Sequence, residues 1–113
     1  MNIDKKATKE YTVFTKGAAY EWDPNKNAQN QQKHGVSFEE AITVFEDDRA
    51  LLIADLNHSA EEERFIVIGL SGAARILYVC HCYRDEENTI RIISARRATE
   101  KETEFYAERS FDQ

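Results

Sequence analysis

Phe38, Ala41, Ile42 and Phe45 recur at i, i+3, i+4 and i+7, the spacing that lines one face of a helix with apolar side chains. Ser37-Phe38-Glu39-Glu40 stands before them as a capping box, Ser37 bonding forward and Glu40 bonding back, so the pattern predicts a helix buried along one face. Upstream, Asp23-Pro24 reads as another helix start. Asp caps free amides, and Pro at the first helical position gives up no bond it would have made. That helix is predicted to run to about His34, with Gly35 as its left-handed stop. Its body, residues 25–32, carries one alanine and no larger apolar residue. No buried stripe can hold such a helix, so its polar face is expected to have another job.

Four strand-like runs follow, at residues 50–55, 64–70, 75–84 and 89–97. Ser71-Gly72 and Asp85-Glu86-Glu87-Asn88 separate the last three, and connections that short require antiparallel hairpins. Thr99-x-x-Glu102 is a further capping box, opening a C-terminal helix through about Arg109. Near the start, Tyr11–Thr15 reads as a short strand ended by Lys16-Gly17, and Tyr20-Glu21-Trp22 as a second extended piece. The expected fold is α+β: two N-terminal helices, a four-stranded antiparallel sheet covered on one face, a C-terminal helix, and possible extra N-terminal strand structure. Residues 1–19 read as an N-terminal extension, the polar stretch 1–9 being expected to be mobile, and residues 20–113 as a single domain.

The length of 113 residues suits one core, not two. Apolar runs such as 66–70 and 76–80 are far shorter than the roughly 20 residues that cross a membrane, so no membrane partner is expected. The first residues show no apolar leader, and Cys80-His81-Cys82 does not suggest a disulfide framework, which together point to the cytoplasm. The formal net charge of −6 is awkward for a nucleic-acid partner. It is unevenly spread, however. Between Arg64 and Arg97 six arginines face three acids, all at 85–87, giving that stretch +3 and leaving −9 elsewhere. Binding follows the local field more than the total.

Two stretches carry a recognisable signature. One is Trp22-Asp23-x-x-Lys26-x-x-x-Asn30-x-x-Lys33-His34-Gly35-Val36-Ser37-Phe38-Glu39-Glu40-Ala41. The other is Arg91-Ile92-Ile93-Ser94-Ala95-Arg96-Arg97-Ala98, followed by Glu102 and Tyr106. With Glu63-Arg64-Phe65 between them, the chain resembles the BrnT family of toxin–antitoxin ribonucleases from about Tyr20 to Tyr106. The resemblance implies a RelE-like fold, RNA cleavage that inhibits translation, and neutralisation by a BrnA-like antitoxin. DNA would be met only indirectly, through that antitoxin, in a hetero-oligomer. Two features depart from the family: the residues ahead of Trp22, and the Asn- and Gln-rich first helix.

RNA cleavage without a metal must activate a 2′-hydroxyl, stabilise a charge-rich phosphorus and protonate the leaving 5′-oxygen, giving a 2′,3′-cyclic phosphate. Arginine suits the middle task because its planar fork holds phosphate oxygens bidentately. Arg64, Arg96 and Arg97 match family positions, with Arg64 and Arg97 favoured as phosphate clamps and Arg96 as a supporting or partner-binding residue. On a regular strand Arg97 shares a face with Arg91, and Arg96 points the other way. The competing reading pairs Arg96 and Arg97 with acids at 100–104 of the following helix. Lys33 and His34 are candidate catalytic residues, His34 as general base; a last-turn Lys-His pair is equally what helix-dipole capping produces. Arg91, Lys26 and Tyr83 are the candidate RNA contacts.

His81 is expected to be packed rather than catalytic. Cys80 and Cys82 should face away from it, so the trio cannot converge on one ion, and His58 has no ligand-spaced neighbour; no metal or cofactor is expected. Trp22, Phe38, Phe45 and Phe65 are spaced for a core rather than for stacking on bases. The alternative to an endoribonuclease is a catalytically inactive module of the same fold that only pairs with an antitoxin. Where the acids of 61–63 and 85–87 fall relative to the arginines discriminates between the two.

Overall fold

The computed structural model describes residues 11–15, 18–55, 63–84 and 89–111. Along them run β1 (Tyr11–Thr15), β2 (Ala18–Trp22), α1 (Pro24–His34), α2 (Phe38–Ala41), a 3-10 turn (Ile42–Glu46), β3 (Leu51–Ala54), β4 (Phe65–Leu70), β5 (Ile76–Arg84), β6 (Thr89–Arg97) and α3 (Glu100–Phe111). The stretch 1–9, His58, the acids at 61, 62 and 85–87, and the connection between β5 and β6 lie outside the described residues.

The signals at the ends of α1 form as read. Asp23 accepts from the Asn25 amide at 2.8 Å, Pro24 opens the helix, and Gly35 closes it with φ of 71° while donating to the Gln31 carbonyl. The sheet differs from the expectation. Among the described residues it has six strands, not four, in the order β1-β2-β6-β5-β4-β3. Both N-terminal extended pieces join it. β1 pairs antiparallel with β2, and β2 lies parallel to β6 from Ala19↔Thr89 to Glu21↔Arg91. A parallel pair needs a long crossover, supplied here by everything between α1 and β5. Nothing local in Ala18–Trp22 announces a partner some seventy residues away.

Cover comes from both faces, not one. On one face α1, α2 and the 3-10 turn close over Tyr20, Trp22, Val67, Leu77, Val79, Ile92 and Ala95, with Phe38 packed edge-on to Trp22 at 6.1 Å. On the other, Phe105 and Tyr106 of α3 pack against Ile66, Ile68 and Cys80. The predicted second helix is also shorter than its periodicity implied. It keeps α geometry only through Ala41 and tightens over Ile42–Glu46, which brings Val44 into the core beside Ile42. The β-branched run Ile42-Thr43-Val44 disfavours continued α-helix, and the Thr43 hydroxyl donates back to the Glu40 carbonyl at 2.7 Å. Gly69 makes this approach possible: a Cβ there would meet the Val44 Cβ and carbonyl at 3.2 Å.

One irregularity decides where the arginines point. Pairing between β5 and β6 passes from Cys80↔Ser94 to His81↔Ile92, so Ile93 is an extra residue, a β-bulge. Arg91 lies opposite Cys82 and Arg96 opposite Tyr78, positions of the same parity on an unbroken β5. Arg91 therefore shares the α3 face with Arg96, and Arg97, opposite Leu77, takes the α1 face. This reverses the partition expected for a regular strand.

Candidate functional site

The polar face of α1 is buried by hydrogen bonding. Asn30 donates to the Ala95 carbonyl at 2.7 Å and to the Val36 carbonyl at 2.9 Å, and accepts from the Ala95 amide at 3.1 Å. β2 leaves the sheet at Trp22, so among the described residues β6 beyond Arg91 has no strand on that side, and one side-chain amide stands in for the missing ladder. Asn27 does similar work at α2, accepting from the Phe38 amide at 2.9 Å and donating to Glu39 at 3.0 Å. Both asparagines are buried.

These bonds set α1 along β6 so that its last turn, with Lys33 and His34, reaches the end of the sheet where Arg97 emerges. There Arg75 donates to the Gly35 carbonyl at 3.1 Å and forms a bidentate pair with Glu40, which also accepts from the Ser71 hydroxyl at 2.6 Å. The Arg75 fork holds the Glu40 carboxyl below its usual range, burial opposing, with Ser71 and the field of Arg97 assisting. Glu40 thus serves Arg75 instead of bonding back as a capping residue. The forward half of that box does form, the Glu40 amide donating to Ser37 Oγ at 3.0 Å. Arg97 is exposed, and among the described residues no hydrogen bond or ion pair engages its guanidinium. Lys33 is exposed and His34 half-buried. Glu40 and Arg75 were not candidates in the sequence because Glu40 had an ordinary explanation in a capping box and Arg75 stood only as the first residue of a strand-like run.

Arg96 is engaged on the opposite face. It pairs bidentately with Glu102 at 2.9 and 3.0 Å and lies 3.8 Å from the centroid of the Tyr78 ring. Glu102 closes both halves of the Thr99 capping box, so Arg96 fixes the start of α3. The ion-pair reading thus describes Arg96 and not Arg97.

The remaining candidates lie elsewhere. Arg91 and Arg84 share one carboxylate, Glu21, at 3.2 and 3.3 Å. Arg64 stands one residue before β4, its carbonyl accepting from the Asp55 amide at 2.8 Å. Its register falls level with Cys82, five residues along β5 from Leu77, or roughly 16 Å from the level of Arg97. The structure does not bring Arg64 and Arg97 to one phosphate. Lys26 is exposed, two turns before Lys33 on α1. Tyr83 is exposed and, with Glu63, Phe65, Cys82 and Arg84, lines a cleft of about 290 Å³.

His81 is fully buried among Phe45, Phe65 and Tyr83, whose ring centroids lie 5.0 to 6.1 Å from its own. Its Nε2 is 3.4 Å from the Tyr83 hydroxyl. Burial drives its pKa down to about 4, against a smaller opposing pull from the Val79 backbone. The folded state therefore disfavours the proton. Stability is intact above the unfolded pKa near 6.5 and falls as the pH drops towards 4. About 2 kcal/mol should be gone by pH 5. Urea unfolding at pH 7.5 and pH 5 measures that loss, and a His81→Phe chain, with no imidazole there, should lose about 2 kcal/mol less. An equal loss in both chains would assign the acid sensitivity to other groups. Cys80 and Cys82 are buried free thiols on the face opposite His81.

A family model described as "Ribonuclease toxin, BrnT, of type II toxin-antitoxin system" matches residues 22–102. The crystal structure of the ribonuclease toxin BrnT from Brucella abortus superposes with a TM-score of 0.54 at 23% identity, over 70% of this chain and 94% of that one. That likeness is one of fold. No curated protein matches the chain.

Proposed function

This chain belongs to the BrnT family of ribonuclease toxins of type II toxin–antitoxin systems, and from that premise we propose that it is a metal-independent endoribonuclease acting at the α1–β6 end of the sheet. The observation that carries the reading is Arg97: an exposed guanidinium with no bond engaging it among the described residues, at the end of the sheet reached by the Lys33-His34 turn and beside the Arg75–Glu40 pair. Arg97 holds the non-bridging oxygens of the scissile phosphate. His34 takes the proton from the 2′-hydroxyl as that oxygen bonds phosphorus. The P–O5′ bond breaks, Lys33 or a water protonates O5′, and a 2′,3′-cyclic phosphate remains. Arg96 is a positioning residue through Glu102, and Arg64, Arg91, Lys26 and Tyr83 contact RNA away from the scissile phosphate. Cleavage would inhibit translation in the cytoplasm until a BrnA-like antitoxin, through which alone DNA is met, covers the chain.

The test is incubation with end-labelled RNA in excess chelator, with and without ribosomes. Cyclic-phosphate and 5′-hydroxyl ends are expected. One feature favours the inactive-module alternative: Arg75, Arg84, Arg91 and Arg96 are all held by carboxylates. Folded, antitoxin-binding chain that leaves RNA intact in every arm would establish that alternative.

A further inference from the structure

The free edge of β3 departs from how sheet edges are usually guarded. Among the described residues, Leu51-Leu52-Ile53-Ala54 pairs with β4 alone and ends the sheet. It has no charge, no proline and no register shift, where edge strands ordinarily carry one of these against unwanted pairing. Leu52 is 56% exposed and Ile53 40%. Leu52 pairs with Val67 and Ile53 with Ile66, so the edge is apolar on both faces of the sheet. The strand is also held in place. Asp47, just before it, accepts from the Leu70 amide at 2.8 Å and from the Tyr106 hydroxyl of α3 at 2.7 Å.

The ladder fixes which backbone groups are on offer. The Asp55 amide donates to the Arg64 carbonyl, and alternation in an antiparallel pair then turns Leu51 and Ile53 towards β4. Leu52 and Ala54 turn their N–H and C=O outwards. Two donors and two acceptors thus stand in line on a rigid apolar edge, the template that an extended segment completes.

We propose that this edge is the docking site of the antitoxin, which adds one extended, aliphatic segment to β3 as a seventh strand. The proposal rests on the toxin–antitoxin reading, which supplies a protein partner. A second copy of this chain fits less well. Two four-residue edges fall short of the roughly 1,200 Å² that a stable interface buries, whereas an inhibitor segment can continue over neighbouring surface. β3 stands three strands from β6, roughly 14 Å across the sheet, so docking is separable from the Arg97 end.

The experiment uses the full chain co-expressed with the antitoxin of its own pair. Amide exchange in the complex should slow at least tenfold at Leu52 and Ala54 relative to the free chain. Ala54→Pro removes an outward N–H and no bond to β4, and should weaken antitoxin binding at least tenfold, while Ala54→Val binds normally. Leu52→Lys, which leaves the backbone donors in place, should weaken it through lost apolar contact. RNA cleavage by each free variant should equal that of the parent. Tight binding by folded Ala54→Pro, or protection that misses β3, overturns the proposal. So does a free chain that is already a dimer with β3 protected, which would name a second copy as the occupant. Failure of the parent chain to cleave RNA would sink the ribonuclease reading and leave the docking result standing.

Discussion

Arg97→Ala should lose a factor of about 10² to 10³ in kcat, some 3 to 4 kcal/mol of transition-state stabilisation, with little change in folding stability. The two halves of that expectation have separate grounds. Charge builds on the phosphate oxygens only as the 2′-oxygen attacks, so a guanidinium poised for them acts on kcat more than on substrate binding. The Arg97 side chain is exposed and its guanidinium is bonded to nothing among the described residues, and such surface side chains ordinarily change stability by no more than about 0.5 kcal/mol. Arg97→Lys should recover only part of the rate, since an ammonium restores charge without the bidentate fork. Arg96→Ala makes the opposite pattern. It strips Glu102 of its bidentate partner and Tyr78 of its cation, so unfolding should come at lower denaturant and kcat should fall less. Single-turnover cleavage beside urea unfolding separates the two residues. A folded Arg97→Ala chain that cleaves at the parent rate would remove Arg97 from the site.

What the sequence made legible was local. Caps are read from the residues that form them, so Asp23-Pro24 and Gly35 placed both ends of α1, and Thr99 with Glu102 placed the start of α3. The limits of β6 were equally plain. What was not legible depends on partners distant in the chain. The parallel pairing of β2 with β6 has no local signature, and without it nothing shows that β6 has an open side at Ala95 for Asn30 to fill. The bulge at Ile93 arises from two strands of unequal path and leaves no mark on an alternation that already looked regular; it sends Arg91 and Arg97 to opposite faces. Glu40 illustrates the same limit on a single side chain. Its position after Ser37 predicts a local bond, but Arg75 offers a charged fork and wins it. The candidate arginines were therefore identified as a set, and only the fold sorts them into Arg97 at one end, Arg96 beside it on the opposite face, and Arg64 and Arg91 towards the other end.

Asn30→Asp should cost about 4 kcal/mol of folding stability, a large share of the roughly 5 to 15 kcal/mol that a domain of this kind has. The substitution is nearly isosteric, so packing is preserved and the chemistry is isolated. A carboxylate can still accept from the Ala95 amide, but it has no N–H for the Ala95 and Val36 carbonyls. Two buried acceptors lose their donor, at about 1 to 3 kcal/mol each, and a negative charge is set between them in a buried place. The sign of the pH dependence follows. The folded state disfavours the charge, which raises the new carboxyl's pKa, so stability lost at neutral pH should return in part as the group protonates and regains one donor. Asn30→Leu, which leaves the Ala95 amide bare as well, should be as destabilised and show no such recovery. The same bonds carry a functional consequence, because Asn30 ties the last turns of α1 to Ala95, two residues before Arg97. At temperatures where the variant is still folded, Lys33 and His34 should be less firmly held against the end of β6, and cleavage should fall although no group touching RNA has changed. Urea unfolding of the three chains across pH 4.5 to 7.5, with cleavage rates on the folded material, measures both effects. A loss below about 1 kcal/mol at pH 7 would mean that α1 is held by something other than this amide, and the placement of the Lys33-His34 turn would need another cause.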